Sequence, residues 1–230
     1  MTTPQTEQGV RAAYDEVADS YADHFRSTEP EAPVELAMVE HFASLLSGEK
    51  RVLDAGCGAG RLLPVLAELR CSVEGVDLSP GMISRAQQDH PSFATRVASL
   101  THLPHPDGAF DGYFSWYSTI HSPDEDLPRI FGEAARVLRT GGVILVAFQS
   151  GRGTRDLSAA YMRHGHDITL ERYNRTPEQV ATALAAAGFQ EVARLERQPA
   201  GAHERDSQGV VIGQTRSTAA YAAPSAASRA

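Results

Sequence analysis

One segment of the chain combines residue types that suit the binding of a nucleoside. The stretch from Val52 to Gly60 reads VLDAGCGAG, with three glycines between an apolar run and a helix-like stretch. Glycines permit a sharp turn and a close approach of the backbone to a ligand, because no Cβ stands in the way. The start of the following helix offers free N–H groups to an acceptor. A tight turn without a ligand is the alternative interpretation of such a loop.

A carboxylate at the end of the next apolar run supports the ligand interpretation. Residues 73–76 have strand character and are followed by Asp77, whose carboxylate can accept both hydroxyls of a ribose. The alternative is that Asp77 only caps the next helix, but Ser79 and Pro80 already have the residue types of an N-cap and a first helical position. Asp77 is therefore predicted to face a ligand.

The residues around the glycine loop disfavour two common nucleotide motifs. A dinucleotide fingerprint requires glycine at the sixth position counted from Gly56, and that position is Arg61. A phosphate-binding P-loop requires Gly-Lys-Ser/Thr, which does not follow. Asp54 would repel a phosphate and suits an ammonium group.

The glycine loop stands within an alternation of strands and helices. Two amphipathic helices are predicted at the start of the chain, over residues 7–28 and 33–47. Strands are then predicted at 52–55, 72–76, 94–98, 110–115, 143–148, 191–196 and 209–214. Helices are predicted between them at 61–69, 80–88, 127–137 and 177–187. This order predicts an α/β, doubly wound, mostly parallel seven-stranded sheet with an antiparallel last strand.

The same pattern predicts the organisation of the chain into regions. Residues 1–50 are expected to form an N-terminal helical cap, and residues 51–214 the main domain. Within that domain, the long polar connection over residues 149–173 is expected to be a lid-like insertion. Residues 215–230 are rich in Ala and Ser and are expected to be a disordered tail.

Four segments carry a further signal through their order and spacing. They read LDAGCGAG from Leu53, GVDLSPGM from Gly75, LPHPDGAFD from Leu103 and VLRTGG from Val137. In these segments the chain resembles the class I S-adenosylmethionine-dependent methyltransferases, over residues 10–214. The resemblance implies a Rossmann-like methyltransferase fold and S-adenosylmethionine as the cofactor.

The resemblance also implies where that cofactor binds. The backbone of Gly56 and Gly58 would lie against its methionine part, Asp77 would hold the ribose, and Leu78 and Met82 would pack on the adenine. The complete set of residues expected to bind the cofactor is Tyr14, Tyr21, Asp54, Gly56, Cys57, Gly58, Asp77, Leu78, Met82, Ser99, Leu100 and Ser115.

Three residues of this set either depart from the family pattern or have an alternative interpretation. Ser99 stands where relatives often carry an acidic residue that meets the adenine amino group. Tyr14 and Tyr21, on the first helix, resemble tyrosines that close over the cofactor, although plain packing is the alternative.

Residues after the fourth strand are the candidates for binding a substrate, since ligands of open α/β sheets bind beyond the carboxyl ends of the strands. Trp116 and Tyr117 can pack on the cofactor or on a flat substrate, or can form a core aromatic pair. His121 is the candidate general base, because histidine titrates near neutral pH. The alternative is that His121 only holds a loop by hydrogen bonds.

The lid-like insertion adds further candidates. Arg152 and Arg155 are suited to a carboxylate or phosphate on the substrate, and Tyr173 is also expected to contact it. His164 and His166 are one residue apart, without a third ligand nearby in sequence, so no metal site is expected.

Composition limits the classes of partner. The formal net charge of −8 argues against nucleic acid as a ligand. No apolar run approaches the roughly 20 residues of a membrane span, and residues 1–9 lack the pattern of a signal peptide. We therefore expect a cytoplasmic protein, monomeric or homodimeric, that acts on a small molecule.

The expected activity is S-adenosylmethionine-dependent methyl transfer to an oxygen or nitrogen of a small-molecule metabolite, by direct in-line displacement. Two alternatives use the same cofactor site. One is a regulatory module that binds the cofactor without transfer, and the other is an enzyme that transfers a different group of that cofactor.

Overall fold

A computed structural model of the protein describes residues 5–200 and 204–216. The described residues form seven helices: α1 (Glu7–His24), α2 (Pro33–Leu45), α3 (Leu63–Glu68), α4 (Pro80–Asp89), α5 (Leu127–Val137), α6 (Ser158–Met162) and α7 (Pro177–Ala186). They also form nine strands: β1 (Arg51–Ala55), β2 (Ser72–Asp77), β3 (Ala94–Val97), β4 (Phe110–Trp116), β5 (Leu138–Ser150), β6 (Gly153–Asp156), β7 (Glu171–Asn174), β8 (Phe189–Arg197) and β9 (Ser207–Thr215).

Seven of these strands form the central sheet, in the order β3-β2-β1-β4-β5-β9-β8. The strands from β1 to β5 pair in parallel, whereas β9 is antiparallel to both β5 and β8. The predicted α/β, mostly parallel sheet with an antiparallel last strand is therefore confirmed. The last strand lies between β5 and β8 and not at the edge of the sheet.

Both faces of the sheet are covered, as the continuous apolar run of β4 requires. Every residue of β4 is buried. On one face Tyr113 belongs to a core cluster with Phe131 of α5 and Leu184 of α7. On the other face Phe114 belongs to a cluster with Phe42 of α2. The carboxyl ends of β1, β2 and β4 are thereby held on a rigid platform.

The insertion predicted at 149–173 has secondary structure that the sequence did not reveal. β5 continues to Ser150, and β6 and β7 then form a separate two-stranded antiparallel sheet with α6 between them. Ile168 and Leu170 pack against Ala13 and Val17 of α1. The insertion and the N-terminal helix thus pack against each other through one apolar cluster.

Four predicted helices are shorter than expected. α2 ends at Leu45 and not at residue 47, and α7 ends at Ala186 and not at residue 187. α1 ends at His24 and not at residue 28, because Phe25 leaves helical geometry (φ −108°, ψ 71°). α3 begins at Leu63 and not at residue 61, with Pro64 in its first turn, where a missing N–H costs nothing. The predicted tail lies outside the described residues from position 217 onward. In the described ranges, no helix has the length and apolar character needed to cross a bilayer.

Candidate active site

The glycine loop after β1 has a backbone that favours glycine at two positions. The N–H groups of Gly56 and Cys57 donate to the Val76 carbonyl, at 2.8 and 2.9 Å, which ties the loop to β2. Gly56 has a φ of +82°, and a Cβ on it would lie 2.2 Å from the Cβ of Ser118. Gly58 has a φ of +54°, and a Cβ on it would meet nothing within 4 Å. The backbone at Gly58 therefore faces open space that a ligand can fill.

Asp77 stands at the end of β2, beside this loop. Its Oδ2 accepts a hydrogen bond from the Gly58 N–H (2.8 Å), and its Oδ1 accepts one from the Ser79 N–H (2.9 Å). A carboxylate has about four acceptor positions, so Asp77 keeps capacity for two hydroxyl groups. Ser79 is the N-cap of α4, since its Oγ accepts from the Met82 N–H at 3.0 Å. Burial raises the pKa of Asp77.

Asp54 lies in β1, immediately before the loop, and is only 2% exposed. Burial, and to a lesser extent the nearby charge of Asp77, raises the pKa of Asp54 to about 7. This carboxyl group titrates near neutral pH, and a bound cation would favour its ionised form.

His121 links three segments around the site. Its Nδ1 lies 2.6 Å from the Glu171 carbonyl oxygen, and its Nε2 lies 2.8 Å from the Tyr14 hydroxyl. A carbonyl can only accept, so Nδ1 carries the hydrogen and Nε2 accepts from Tyr14. Burial lowers the pKa of His121 to about 4, so the ring is neutral at pH 7. The Gln5 side chain donates to the His121 carbonyl oxygen at 3.1 Å, which adds a contact from outside α1.

Trp116 and Tyr117 are both part of the core and part of the site. The Trp116 ring stacks on Phe114 with centroids 5.5 Å apart, and its Nε1 donates to Glu31 at 3.1 Å. Tyr117 has a φ of +56°, which a non-glycine residue adopts only under strong constraint.

The hydroxyl of Tyr117 is held between two other elements. It lies 2.9 Å from Glu35 Oε1, in α2, and 2.8 Å from Gln208 Oε1, in β9. Arg197 lies between two carboxylates, with Nη2 at 2.7 Å from Glu35 Oε2 and 2.6 Å from Glu204 Oε1. The wall beyond β4 is therefore formed by paired side chains from α2, β8 and β9.

These groups line a single cavity of about 720 Å³. That volume lies within the range of about 300–1,000 Å³ that is usual for small-molecule sites. The predicted site residues that line the cavity are Tyr14, Tyr21, Asp54, Gly56, Cys57, Gly58, Asp77, Leu78, Met82, Leu100, Trp116, Tyr117, His121 and Arg155.

Four predicted site residues do not line the cavity. Ser115 is fully buried and hydrogen-bonds to Ser118, 2.7 Å away. Ser99 donates to Glu7. Arg152 is exposed, in the turn before β6, and the ring of Tyr173 lies against the guanidinium of Arg175, 5.7 Å from ring centroid to Cζ.

Several lining residues were missed by sequence reasoning. They are Gln5, Glu31, Glu35, Arg172, Arg197 and Gln208. None stands in a recognisable motif. Only the placement of β9 beside β5 could have identified Gln208, because an antiparallel strand begins at the edge where its parallel neighbours end.

One histidine of the insertion contacts the N-terminal helix α1. His166 Nε2 lies 2.7 Å from the Ser20 hydroxyl. In the part of the chain that the structure describes, no three His, Cys, Asp or Glu side chains are grouped so that they could hold a metal ion.

Three features of the cavity fit a positively charged nucleoside. Gly58 leaves space for a ligand against the backbone, Asp77 keeps acceptor capacity for two hydroxyls, and Asp54 can become ionised beside a cation. These are the features that S-adenosylmethionine requires, since it combines a ribose with sulfonium and ammonium groups.

Comparisons with known proteins agree with this fit. Residues 52–142 match the family described as Methyltransferase domain. The malonyl-[acyl-carrier protein] O-methyltransferase of Serratia marcescens is 30% identical over 190 residues, which are 82% of this chain and 71% of that protein. Methyltransferase GfsG of Streptomyces halstedii is 34% identical over 164 residues, which are 66% of this chain and 58% of that protein.

A solved structure shows the same fold. The 1,6-didemethyltoxoflavin-N1-methyltransferase of Burkholderia thailandensis, solved with 1,6-didemethyltoxoflavin and S-adenosylhomocysteine, superposes with a TM-score of 0.70 at 19% identity. The superposition covers 94% of this chain and 93% of that one. Together, the sheet order, the glycine loop with Asp77 and the relatives at 30% identity or more show that this chain belongs to the class I S-adenosylmethionine-dependent methyltransferases.

Proposed function

We propose that this methyltransferase transfers the methyl group to an oxygen or nitrogen atom of a small-molecule metabolite, by direct in-line displacement. The observation that carries the proposal is the continuity of one cavity from Gly58 and Asp77 to Tyr117 and Arg155. A cofactor and an acceptor can therefore lie in contact within it. The relatives support both acceptor elements, since one is named as an O-methyltransferase and another as an N1-methyltransferase.

S-adenosylmethionine, when bound, supplies an electrophilic methyl group on a sulfonium. The chain would hold it with Asp77 at the ribose hydroxyls, Leu78 and Met82 against the adenine, and Asp54 near the ammonium group. The backbone of Gly58 would lie along its methionine part. Each of these residues lines the cavity.

The chain's main contribution to rate would be orientation and exclusion of water. α1 and the insertion pack together through Val17 and Leu170 and cover the site. The hydrogen bonds from Tyr14 to His121 and from His121 to the Glu171 carbonyl fix this cover to the loop after β4. An acceptor enclosed here would keep one orientation toward the methyl group.

We assign His121 to positioning rather than to proton removal. Its Nε2 already accepts the hydroxyl hydrogen of Tyr14, and a pKa of about 4 makes the ring a weak base at pH 7. The sulfonium is a strong electrophile, so the reaction depends less on a base than on geometry.

The proposal is tested by incubating the purified chain with methyl-labelled S-adenosylmethionine and a mixture of small metabolites. Mass spectrometry should find a product that carries the labelled methyl group, together with S-adenosylhomocysteine. A product that gains a different part of the cofactor, or binding without any product across a broad mixture, would contradict methyl transfer. The Gly58→Ala variant is the negative control, because its added Cβ would project into the space where the cofactor is proposed to bind.

A further inference from the structure

Two arginines on the small β6–β7 sheet share one carboxylate at the start of β9. Arg155 Nη1 lies 2.6 Å from Asp206 Oδ2, and Arg172 Nη2 contacts the same oxygen. Arg155 and Arg172 are directly opposite each other in the register of this sheet. Like charges at such positions repel, and one carboxylate neutralises only one of them. The three side chains therefore carry a net charge of +1.

The donors of this arginine pair are available to the cavity. Both arginines and Asp206 line it, and the Arg155 side chain is 32% exposed. Arg155 uses one nitrogen, Nη1, in its contact with Asp206, and a guanidinium has five N–H donors. Arg172 is 11% exposed and is held in place by an Nε hydrogen bond to Asn174 Oδ1 at 2.9 Å.

The arginine pair lies at the end of the cavity that is remote from the ribose site. Asp77 ends β2 and Asp206 precedes β9, and four strand spacings separate β2 from β9 in the sheet. At about 4.8 Å for each spacing, the two positions are about 19 Å apart.

A short chain of contacts nevertheless connects the arginine pair to the glycine loop. The Gln208 side chain donates to the Asp206 carbonyl oxygen at 2.9 Å and meets the Tyr117 hydroxyl at 2.8 Å. Ser118, the next residue along the chain, lies against Gly56.

Other positive charges line the same cavity. The side chains of Arg163 and Arg205 both line it, and neither forms an ion pair with any residue in 5–200 or 204–216. The whole chain has a net charge of −8, so unpaired arginines in its cavity are not a consequence of a basic composition. Carboxylates line other parts of the cavity, but an anionic ligand would give Arg163 and Arg205 the ion-pair partner that they lack among the described residues.

We infer that the substrate carries a carboxylate, which Arg155 and Arg172 bind in the part of the cavity beyond Tyr117. This inference rests on the proposed function, because it names the substrate class of the same site. The planar guanidinium of arginine matches a planar carboxylate through two parallel N–H bonds, which makes a carboxylate the favoured anion.

Benzoate, its neutral isostere benzamide, and phenyl phosphate are suitable probes. Each is titrated into the full chain by ligand-observed NMR, with and without S-adenosylhomocysteine. Benzoate should bind at least about tenfold more tightly than benzamide, because a charge-assisted pair exceeds a neutral hydrogen bond. Arg155→Gln should remove this preference. Arg152→Gln is the matched control, since Arg152 is exposed in the adjacent turn and does not line the cavity.

Three results would overturn the inference. They are equal affinities for benzoate and benzamide, an equal loss in the Arg152 and Arg155 variants, and tighter binding of phenyl phosphate than of benzoate. Arg172→Gln is a second test, and it leaves Asp206 paired with Arg155. S-adenosylhomocysteine affinity in the same samples reports separately on the proposed function. If S-adenosylhomocysteine does not bind while benzoate is still preferred over benzamide, the cofactor assignment is contradicted and the carboxylate site is still supported.

Discussion

At the ends of β1 and β2 the cavity wall is mostly backbone, whereas beyond β4 it consists of paired side chains. The first region depends on the positive φ of Gly56 and Gly58 and on backbone N–H groups that hold Asp77. The second depends on contacts between distant segments, such as Glu35 with Arg197 and Arg155 with Asp206.

This difference separates what the cofactor requires from what the substrate requires. A backbone cradle tolerates few changes, because Gly56 leaves no room for a Cβ and a Cβ on Gly58 would occupy the space left for a ligand. A wall of ion pairs can be altered one side chain at a time without changing the sheet that carries it. We therefore expect substitutions in the first region to affect cofactor binding and those in the second to affect the acceptor.

The largest effects on cofactor affinity are expected from Gly58→Ala and from Asp77→Ala. The new Cβ would project into open space at the cavity, so it would collide with a ligand and not with the protein. We expect S-adenosylhomocysteine affinity to fall by about 100-fold, near the upper end of the ~1–3 kcal/mol typical of overpacking. Gly141→Ala is the control, because Gly141 has a φ of +76°, similar open space, and no place in the cavity wall. Equal losses of affinity in the two variants would show that backbone strain alone is responsible.

Asp77→Ala should weaken cofactor affinity by about 1–3 kcal/mol, which is about fivefold to 150-fold, because the hydrogen bonds to the ribose would be lost. Calorimetric titration with S-adenosylhomocysteine measures this directly. Asp107→Ala is the comparison, since that side chain is 81% exposed and pairs with Arg136 away from the cavity. An unchanged affinity in the Asp77 variant would remove Asp77 from the ribose site.

Asp54 should make cofactor affinity depend on pH. Its pKa of about 7 means that the carboxyl is mostly protonated at pH 5.5, and a bound cation favours the ionised form. Affinity for S-adenosylmethionine should therefore rise about tenfold from pH 5.5 to pH 7, while the α-amino group of the ligand stays charged. Asp54→Asn should show a flat profile in the same range. An equal pH dependence in both proteins would contradict a role for Asp54.

The smallest effect is expected from the contact between Tyr14 and His121, at the border of the two regions. Tyr14→Phe and His121→Asn should each weaken S-adenosylhomocysteine binding by about fivefold, or about 1 kcal/mol. The double variant should be no weaker than either single one, because both remove the same 2.8 Å contact. Additive losses would contradict the positioning role. A drop in turnover of at least about tenfold for His121→Asn alone, with unchanged affinity, would instead support a general base.

The same contrast explains what the sequence could predict. Gly56, Gly58, Asp77 and the N-cap Ser79 lie in contiguous motifs whose local geometry follows from residue type. The succession of strands and helices along the chain followed from the alternation of apolar segments. These features could be predicted because each depends on residues that are close together in the sequence.

The cavity wall beyond β4 was harder to predict, because it depends on residues that are remote in sequence. Glu35 is 162 positions from Arg197, its ion-pair partner. Arg152 and Arg155 were equivalent as sequence candidates, and only the pairing of β6 with β7 places Arg155 opposite Arg172 and toward the cavity. A short polar strand such as β6 has no hydrophobic pattern that would predict it.

Cofactor binding at the glycine loop and Asp77 is best tested by calorimetric titration of the unmodified chain at pH 7 with S-adenosylmethionine and with S-adenosylhomocysteine. We expect one site for each ligand, with dissociation constants in the micromolar range, and a clear loss of affinity in the Gly58→Ala variant. Absence of binding of both ligands, with and without benzoate, would contradict the claim that the glycine loop and Asp77 form the cofactor site.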